Sequence, residues 1–391
     1  MKIKDLPEDF VVRERYDLAG VGTHGSVAVY AVEKRNLTTF DAAIRIAGAA
    51  GVLTDQVRFA GIKDRRAVTT QVMSVEGGGP VSIDEEGLRV VQLGFAQEHV
   101  SSERLEGNEF ELVLRDLTGE DLVRLDRGLA EIGEFGLPNY FDDQRFGTAR
   151  SGRGFPVREL LRGNPEEALR LLVAVPSSID SPEHARRKNE LTAAWGDWAR
   201  CLQYARGHHE QAVFRHLSER PDDFEGALRS VPRRERLMQL FAYQSKIWND
   251  ALDRLVRRWV PAGRRVEMDC DVAKLAAWRA LEPPEMARWE AAALPLPDAR
   301  TAPADADVAT ALAEALAADG LSMADLKVPR IRGMEFREEA RSTVLLPDLM
   351  EAEDPMPDAR HEGRQAVRLR LSLPRGAYAT LVLKRALALP A

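Results

Sequence analysis

A chain of 391 residues exceeds a comfortable single domain, so two domains, or one domain carrying a large insertion, are expected. With 45% hydrophobic and 30% charged residues, wholesale disorder is excluded, and no apolar run has the length needed to cross a bilayer. The net charge of -7 disfavours a nucleic-acid ligand only globally, because a polyanion responds to local potential.

The opening MKIKDLPEDF has no apolar signal core, so cytoplasmic residence is the expectation. The first third reads as β-rich. Residues 9–14 and 26–33 read as strands, followed by a helix from Thr39 to Ala50 with Thr38 or Thr39 as cap and Gly51 as stop. Val57 to Ile62 and Ala67 to Val75 are further strand patterns. Between them, Lys63-Asp64-Arg65-Arg66 is a short polar connection that places one carboxylate among three cations. Cationic neighbours stabilise a carboxylate anion, so Asp64 suits the role of nucleophile or general base. From spacing alone, a solvated charged hairpin is the better reading of this stretch.

Residues 88–95 and 109–114 add strands, and Thr118-Gly-Glu-Asp121 resembles a capping box opening a helix to about Phe135. Strands and helices mix without a βαβ rhythm, which points to α+β. Next comes Pro138-Asn-Tyr-Phe-Asp-Asp-Gln-Arg-Phe-Gly147. There Phe141 offers a face for stacking, Asn139 a donor and acceptor for a pyrimidine edge, and Arg145 a fork for a phosphate. Aromatic residues plugging a core edge would leave the same pattern.

From Arg158 to Trp259 the signal is helical, with Pro165 at a first helical position and an apolar stripe through Leu237, Leu240, Phe241, Ile247, Trp248, Leu252, Leu255 and Val256. Tyr243, Gln244, Ser245 and Asn249 lie near that stripe and fit a local hydrogen-bond network. Arginines cluster at Arg145, Arg150, Arg153, Arg158 and Arg162, and again at Arg186, Arg187 and Lys188. They would suit a basic groove, or simply fall on the surface of an Arg-rich chain. Cys201 and Cys270 lack partners at metal-ligand spacing and read as buried free thiols. His208-His209 reads as surface, so no metal is expected. After a smaller mixed module with a helix from Ala306 to Ala318, Val367, Leu369, Leu371 and Leu373 alternate with Arg368, Arg370 and Ser372 as a half-buried strand. Gly376-Ala-Tyr-Ala-Thr380 opens a last helix.

Taken together, Lys4-Asp-Leu-Pro-Glu-Asp-Phe10-Val-Val-Arg-Glu14, FAGIKDRRAVTTQ around Asp64, Gly107-Asn-Glu-Phe110, PNYFDDQRFG at 138–147, AYQSKIWN at 242–249 and LPRGAYAT at 373–380 resemble the TruD family of tRNA pseudouridine synthases. The six segments occur in the family's order along the whole chain. Asp142, Trp248 and Ala377 depart from the family's usual glycine, phenylalanine and serine.

The resemblance implies a pseudouridine-synthase catalytic domain, with a central mixed or antiparallel sheet built from both chain ends. It spans residues 1–154 and 346–391, with a largely helical TRUD-type insertion at 155–345. It implies cofactor-free isomerisation of uridine in tRNA, at position 13 of the D arm. Asp64 would be the essential carboxylate, acting at C1′ or C2′ of the ribose, and Lys4 would orient it. Phe141 would stack on a flipped base, Asn139 bond its edge, and Phe10 and Tyr378 wall the pocket, with Glu14 and Arg145 also binding substrate. Core packing would account for Phe10 and Tyr378 equally well. Lys63, Arg65 and Arg66 would serve the RNA backbone or only the hairpin. tRNA is the expected partner, with no membrane and no metal, and the protein is expected to act as a monomer. A non-catalytic RNA-binding protein on the same scaffold, or an unrelated hydrolase using Asp64, are the alternatives.

Overall fold

The computed structural model describes residues 1–151, 154–328, 331 and 333–388, without the side chains of Thr148, Arg150 and Ser151. Arg153 and the Arg150 side chain, both members of the first arginine cluster, lie outside the described residues. The chain divides into two compact units, one of Met1–Gly136 with Leu346–Ala391, the other Leu137–Leu345. The first junction of these units falls at Gly136, so the PNYFDDQRFG segment lies in the second, inserted unit. Asn139, Tyr140, Phe141, Asp143 and Arg145 are among its residues that make their contacts there.

The first unit is built on a ten-stranded sheet. Its strands from the N-terminal part are β1 (Phe10–Tyr16), β2 (Val27–Arg35), β3 (Val57–Phe59), β4 (Val68–Glu76), β5 (Ile83–Glu85), β6 (Leu88–Ala96) and β7 (Leu105–Leu117). The C-terminal part adds Leu349–Ala352, Met356–Pro357 and Gln365–Pro374. The last of these pairs antiparallel with β7, which carries β1, so both chain ends meet in one sheet as expected. β1 and β4 run parallel, and β4 then pairs antiparallel with β2 and β3. In Gln365–Pro374 the leucines face inward and Arg368 and Arg370 outward, the alternation a half-buried strand requires. Ser372 breaks it. It is buried, where its hydroxyl accepts from Arg15 at 2.7 Å.

Helix α1 (Thr39–Ala50) is capped by the Thr38 hydroxyl accepting from the Asp41 amide, and Gly51 ends it at φ 73°. Its Ala42, Ala43, Ile46 and Ala47 pack on Tyr30, Val32, Met73 and Leu88 of the sheet. Helix α2 (Gly119–Phe135) starts with the Thr118–Asp121 capping box. Gly128 is required on it, because a Cβ there would lie 2.2 Å from the Ala386 carbonyl oxygen of the C-terminal helix Ala379–Leu387. Gly107 has the same cause, since a Cβ would lie 2.3 Å from the Leu373 carbonyl oxygen on the paired strand.

The inserted unit is largely helical. Its 27-residue helix Arg233–Trp259 buries Leu240, Ile247, Trp248, Ala251, Leu252, Leu255 and Val256. Phe241 is 36% exposed and lies off this stripe, with the Arg145 guanidinium 5.7 Å from its ring centroid. Short ladders pair Leu137–Pro138 with Val344–Leu345, and Leu294–Leu296 with Glu339–Arg341. Cys201 is buried, which pushes its thiol up to about 11, whereas Cys270 is half-buried. His208 is exposed and His209 half-buried. Among the described residues no helix is long and apolar enough to cross a membrane.

Candidate active site

β3 stops at Phe59 and β4 starts at Val68, so the connection carrying Asp64 spans residues 60–67, longer than the strand patterns suggest. The reason is that several of its groups bond to side chains beneath it and not to a strand partner. Gly61 O accepts from Gln71 Nε2 at 3.0 Å, the Lys63 amide donates to Thr39 Oγ1 at 3.0 Å, and Asp64 O accepts from Lys34 Nζ at 2.8 Å. Thr39 in turn donates to Gln71 Oε1 at 3.1 Å, and Thr39, Gln71 and Lys34 are all buried.

On the outer side, Lys4 Nζ donates to Asp64 Oδ2 at 2.8 Å, the two side chains being 18% and 32% exposed. The same ammonium sits 3.9 Å from the centroid of the Phe10 ring, a cation–π contact that restricts where it can go. Phe10 is buried edge-on against Phe110, so it belongs to the core as well as to the site. Lys4 itself has φ 61°, a left-handed conformation that a side chain adopts at a cost of about 1–2 kcal/mol. Asp9 anchors the turn two residues further on. The Asp9 carboxylate accepts from the Leu6 amide at 2.8 Å and takes two nitrogens of Arg115, at 2.9 and 2.7 Å, and Arg115 also reaches Asp358 at 3.2 Å.

The three cations of the loop divide sharply. Lys63 Nζ lies 2.9 Å from Glu14 Oε1 and donates to Asn108 Oδ1 at 2.6 Å. The Lys63 and Glu14 side chains are 8% and 0% exposed. Glu14 Oε2 accepts from the Val72 amide at 2.9 Å. Glu14 is therefore placed to hold the loop against β4, and Lys63 serves the hairpin. Arg65 and Arg66 are exposed, with Arg66 donating to Asp5 O at 3.2 Å. Tyr378 is half-buried and stands at the N-cap position of the C-terminal helix.

In the inserted unit, Asn139, Phe141 and Arg145 come together, held by a residue that the sequence reading missed. Arg341 donates to Asn139 Oδ1 at 3.0 Å and to Asn139 O at 2.8 Å, and its guanidinium lies 3.9 Å from the Phe141 ring centroid. Asn139 Nδ2 donates to Ser342 O at 3.0 Å. The Phe141 amide and carbonyl both bond the Asn249 side chain at 2.8 Å, and its ring meets Trp248 edge-on. Asn139 and Phe141 are 7% and 6% exposed. An amide has two donors and two lone pairs, so each end of Asn139 keeps one position beyond these bonds. Arg145 donates to Ser245 Oγ at 2.9 Å and lies 5.2 Å from the Phe141 ring. Gln244 donates to Pro297 O and Arg337 O, so the polar row on the long helix forms the expected network.

Asp142, Asp143 and Cys270 bring three donor atoms within 4.8 Å of one another. Asp143 already accepts from the Asp271 amide at 2.8 Å, and nothing beyond proximity points to an ion. Several of the clustered cations are engaged internally: Arg158 and Arg162 with Glu159, Arg187 with Glu210, and Lys188 with Asp180.

Comparison with known proteins gives a consistent picture. A family model described as tRNA pseudouridine synthase D (TruD) matches residues 1–386. The chain is similar to a tRNA pseudouridine synthase D of Geobacter metallireducens, 31% identical over 98% of this chain and 93% of that protein. A relative from Aquifex aeolicus with the same name is 28% identical, covering 98% of this chain and 97% of its own. Among solved structures, the putative tRNA pseudouridine synthase D of Methanosarcina mazei aligns with a TM-score of 0.74 at 24% identity, over 99% of this chain and 93% of that one, a likeness of fold.

Proposed function

The chain belongs to the tRNA pseudouridine synthase D family, and from that premise we propose that it isomerises uridine to pseudouridine in tRNA, at position 13 of the D arm, in the cytoplasm and without a cofactor. The observation that carries this reading is the pairing of Asp64 with Lys4: a carboxylate that is one-third exposed, oriented by an ammonium that is itself fixed over Phe10.

The reaction breaks the bond between N1 of uracil and C1′ of ribose, turns the base, and forms a bond from C5 to C1′. The proton lost from C5 is balanced by one gained at N1. Asp64 acts at the ribose, either as nucleophile at C1′ or as base at C2′, and both roles use the carboxylate anion. Its Oδ2 is held by Lys4, which directs the remaining lone pairs. A stacked uridine is inaccessible, so the base must be flipped out and gripped by its face and edge. We assign that task to Phe141 and Asn139, with Phe10 and Tyr378 walling the pocket. Glu14 is assigned to the loop, not to the substrate.

The test is an Asp64→Asn variant assayed for tRNA binding and, by chemical mapping, for pseudouridine. Binding is expected to persist while pseudouridine disappears. Retained modification would remove Asp64 from the mechanism. Mapping tRNA from cells with and without the protein then tests the position.

A further inference from the structure

A lysine that has no accessible surface and, among the described residues, no carboxylate within ion-pair distance needs a reason to be there, because burying an ammonium is unfavourable unless something compensates. Lys34 is such a residue. It lies on β2 in phase with Tyr30 and Val32, on the apolar face that α1 covers. Its Nζ donates to two carbonyl oxygens, Leu37 O and Asp64 O, each at 2.8 Å. Leu37 belongs to the connection that leads into α1, so the first bond ties the ammonium to its own corner of the sheet. The second bond is made to the residue that carries the reaction.

We infer that Lys34 is a positioning residue for the reaction, fixing the Asp64 main chain from inside the sheet while Lys4 holds the side chain from outside, and supplying a buried positive charge that acts on the same carboxylate. This rests on the pseudouridine synthase reading. Neutral anchors already pin the loop at Gly61 and Lys63, through Gln71 and Thr39. A third neutral donor would have sufficed for geometry alone. The use of a charged group at Asp64 is what separates this contact from the other two.

The charge is also titratable in a useful range. Burial pulls the Lys34 ammonium down to about 8, against the opposing attraction of Asp64 and with a smaller repulsion from Lys63. Its cross-strand neighbours, Thr69 on β4 and Leu88 on β6, carry no charge, and Thr39 of α1 is neutral. The ammonium is therefore charged at neutral pH and loses its proton as pH rises through about 8, taking away the field on Asp64 while leaving an amine that still donates to both carbonyls.

The experiment measures single-turnover pseudouridine formation and tRNA binding for the wild type, Lys34→Met and Lys34→Arg across roughly pH 6.5 to 9.5. Lys34→Met is expected to lower the saturating rate at neutral pH by about ten- to a hundredfold, with tRNA affinity changed less than about threefold. Its residual rate should lack the decline that the wild type shows near pH 8. Lys34→Arg, if it folds, should retain part of the rate and extend it to higher pH. A wild type that is active but equally fast on both sides of pH 8 overturns the inference even if both variants fail to fold, and so does a folded Lys34→Met enzyme with an unchanged rate. A wild type that forms no pseudouridine in any tRNA overturns the functional reading and the inference with it.

Discussion

The loop around Asp64 and the segment around Asn139 solve opposite problems. Asp64 stands among charges at graded depth, from the buried Lys34 and Lys63 to the partly exposed Lys4, and its own carboxylate stays one-third exposed. Asn139 and Phe141 are nearly covered, and their polar atoms are engaged by Arg341, Ser342 and Asn249. A reacting group must be available and electrostatically tuned. A recognition group must be rigid, so that binding a base does not have to order it as well.

If this contrast is right, damage to the two regions should differ in kind. The largest effect is expected from Glu14→Gln, which leaves Lys63 buried without its countercharge. Urea unfolding should show a loss of about 3–4 kcal/mol, and a loss under about 1 kcal/mol would mean that the pair is not needed beneath the loop. Lys4→Met should leave stability nearly intact while cutting the saturating rate about a hundredfold, the worth of a charge-assisted hydrogen bond of about 3 kcal/mol. Equal loss of rate and of tRNA affinity would instead make Lys4 an RNA contact.

Arg341→Lys keeps the charge but loses the planar fork on Asn139 and the stack on Phe141. A rate loss of about tenfold is expected, with little change in the pH profile, because no titrating group near Asp64 is touched. A shifted profile would break the division of labour. The smallest effect concerns Asp358, whose burial raises its pKa less than the amides of Asp116 and Arg360 and the Arg115 guanidinium lower it. A depressed carboxylate stabilises the fold above the ordinary range and loses that contribution as pH falls through it. The stability gap between wild type and Asp358→Asn should therefore narrow below about pH 4, by something on the order of 1 kcal/mol.

Local signals were legible where the physics is local. The Thr38 cap and Gly51 stop bound α1, and the Thr118–Asp121 box opens α2. The alternation of Leu369 and Arg370 marked a half-buried strand. The Asp64 connection is longer than its strand patterns suggest, because its pinning by Gln71 and Thr39 depends on residues from other elements. Lys34 could have been noticed, since strand alternation places it on the face of Tyr30 and Val32. Arg341 carried no comparable signal, lying 202 residues from the asparagine it holds.

By itself, then, the sequence determined the order of the motifs, the strands and helices that carry them, and the candidacy of Asp64, Asn139 and Phe141, because periodicity, caps and residue chemistry are written within a few residues of one another, while Lys4 entered only through the family resemblance. Only the tertiary structure decided which charges turn inward. Lys63 and Arg65 are near neighbours in one basic run, yet one is buried against Glu14 and the other is exposed. That outcome depends on the pairing of β1 with β4, which aligns residues 57 apart in the chain, Val11 with Val68, and no local pattern encodes the partner a charge will meet there.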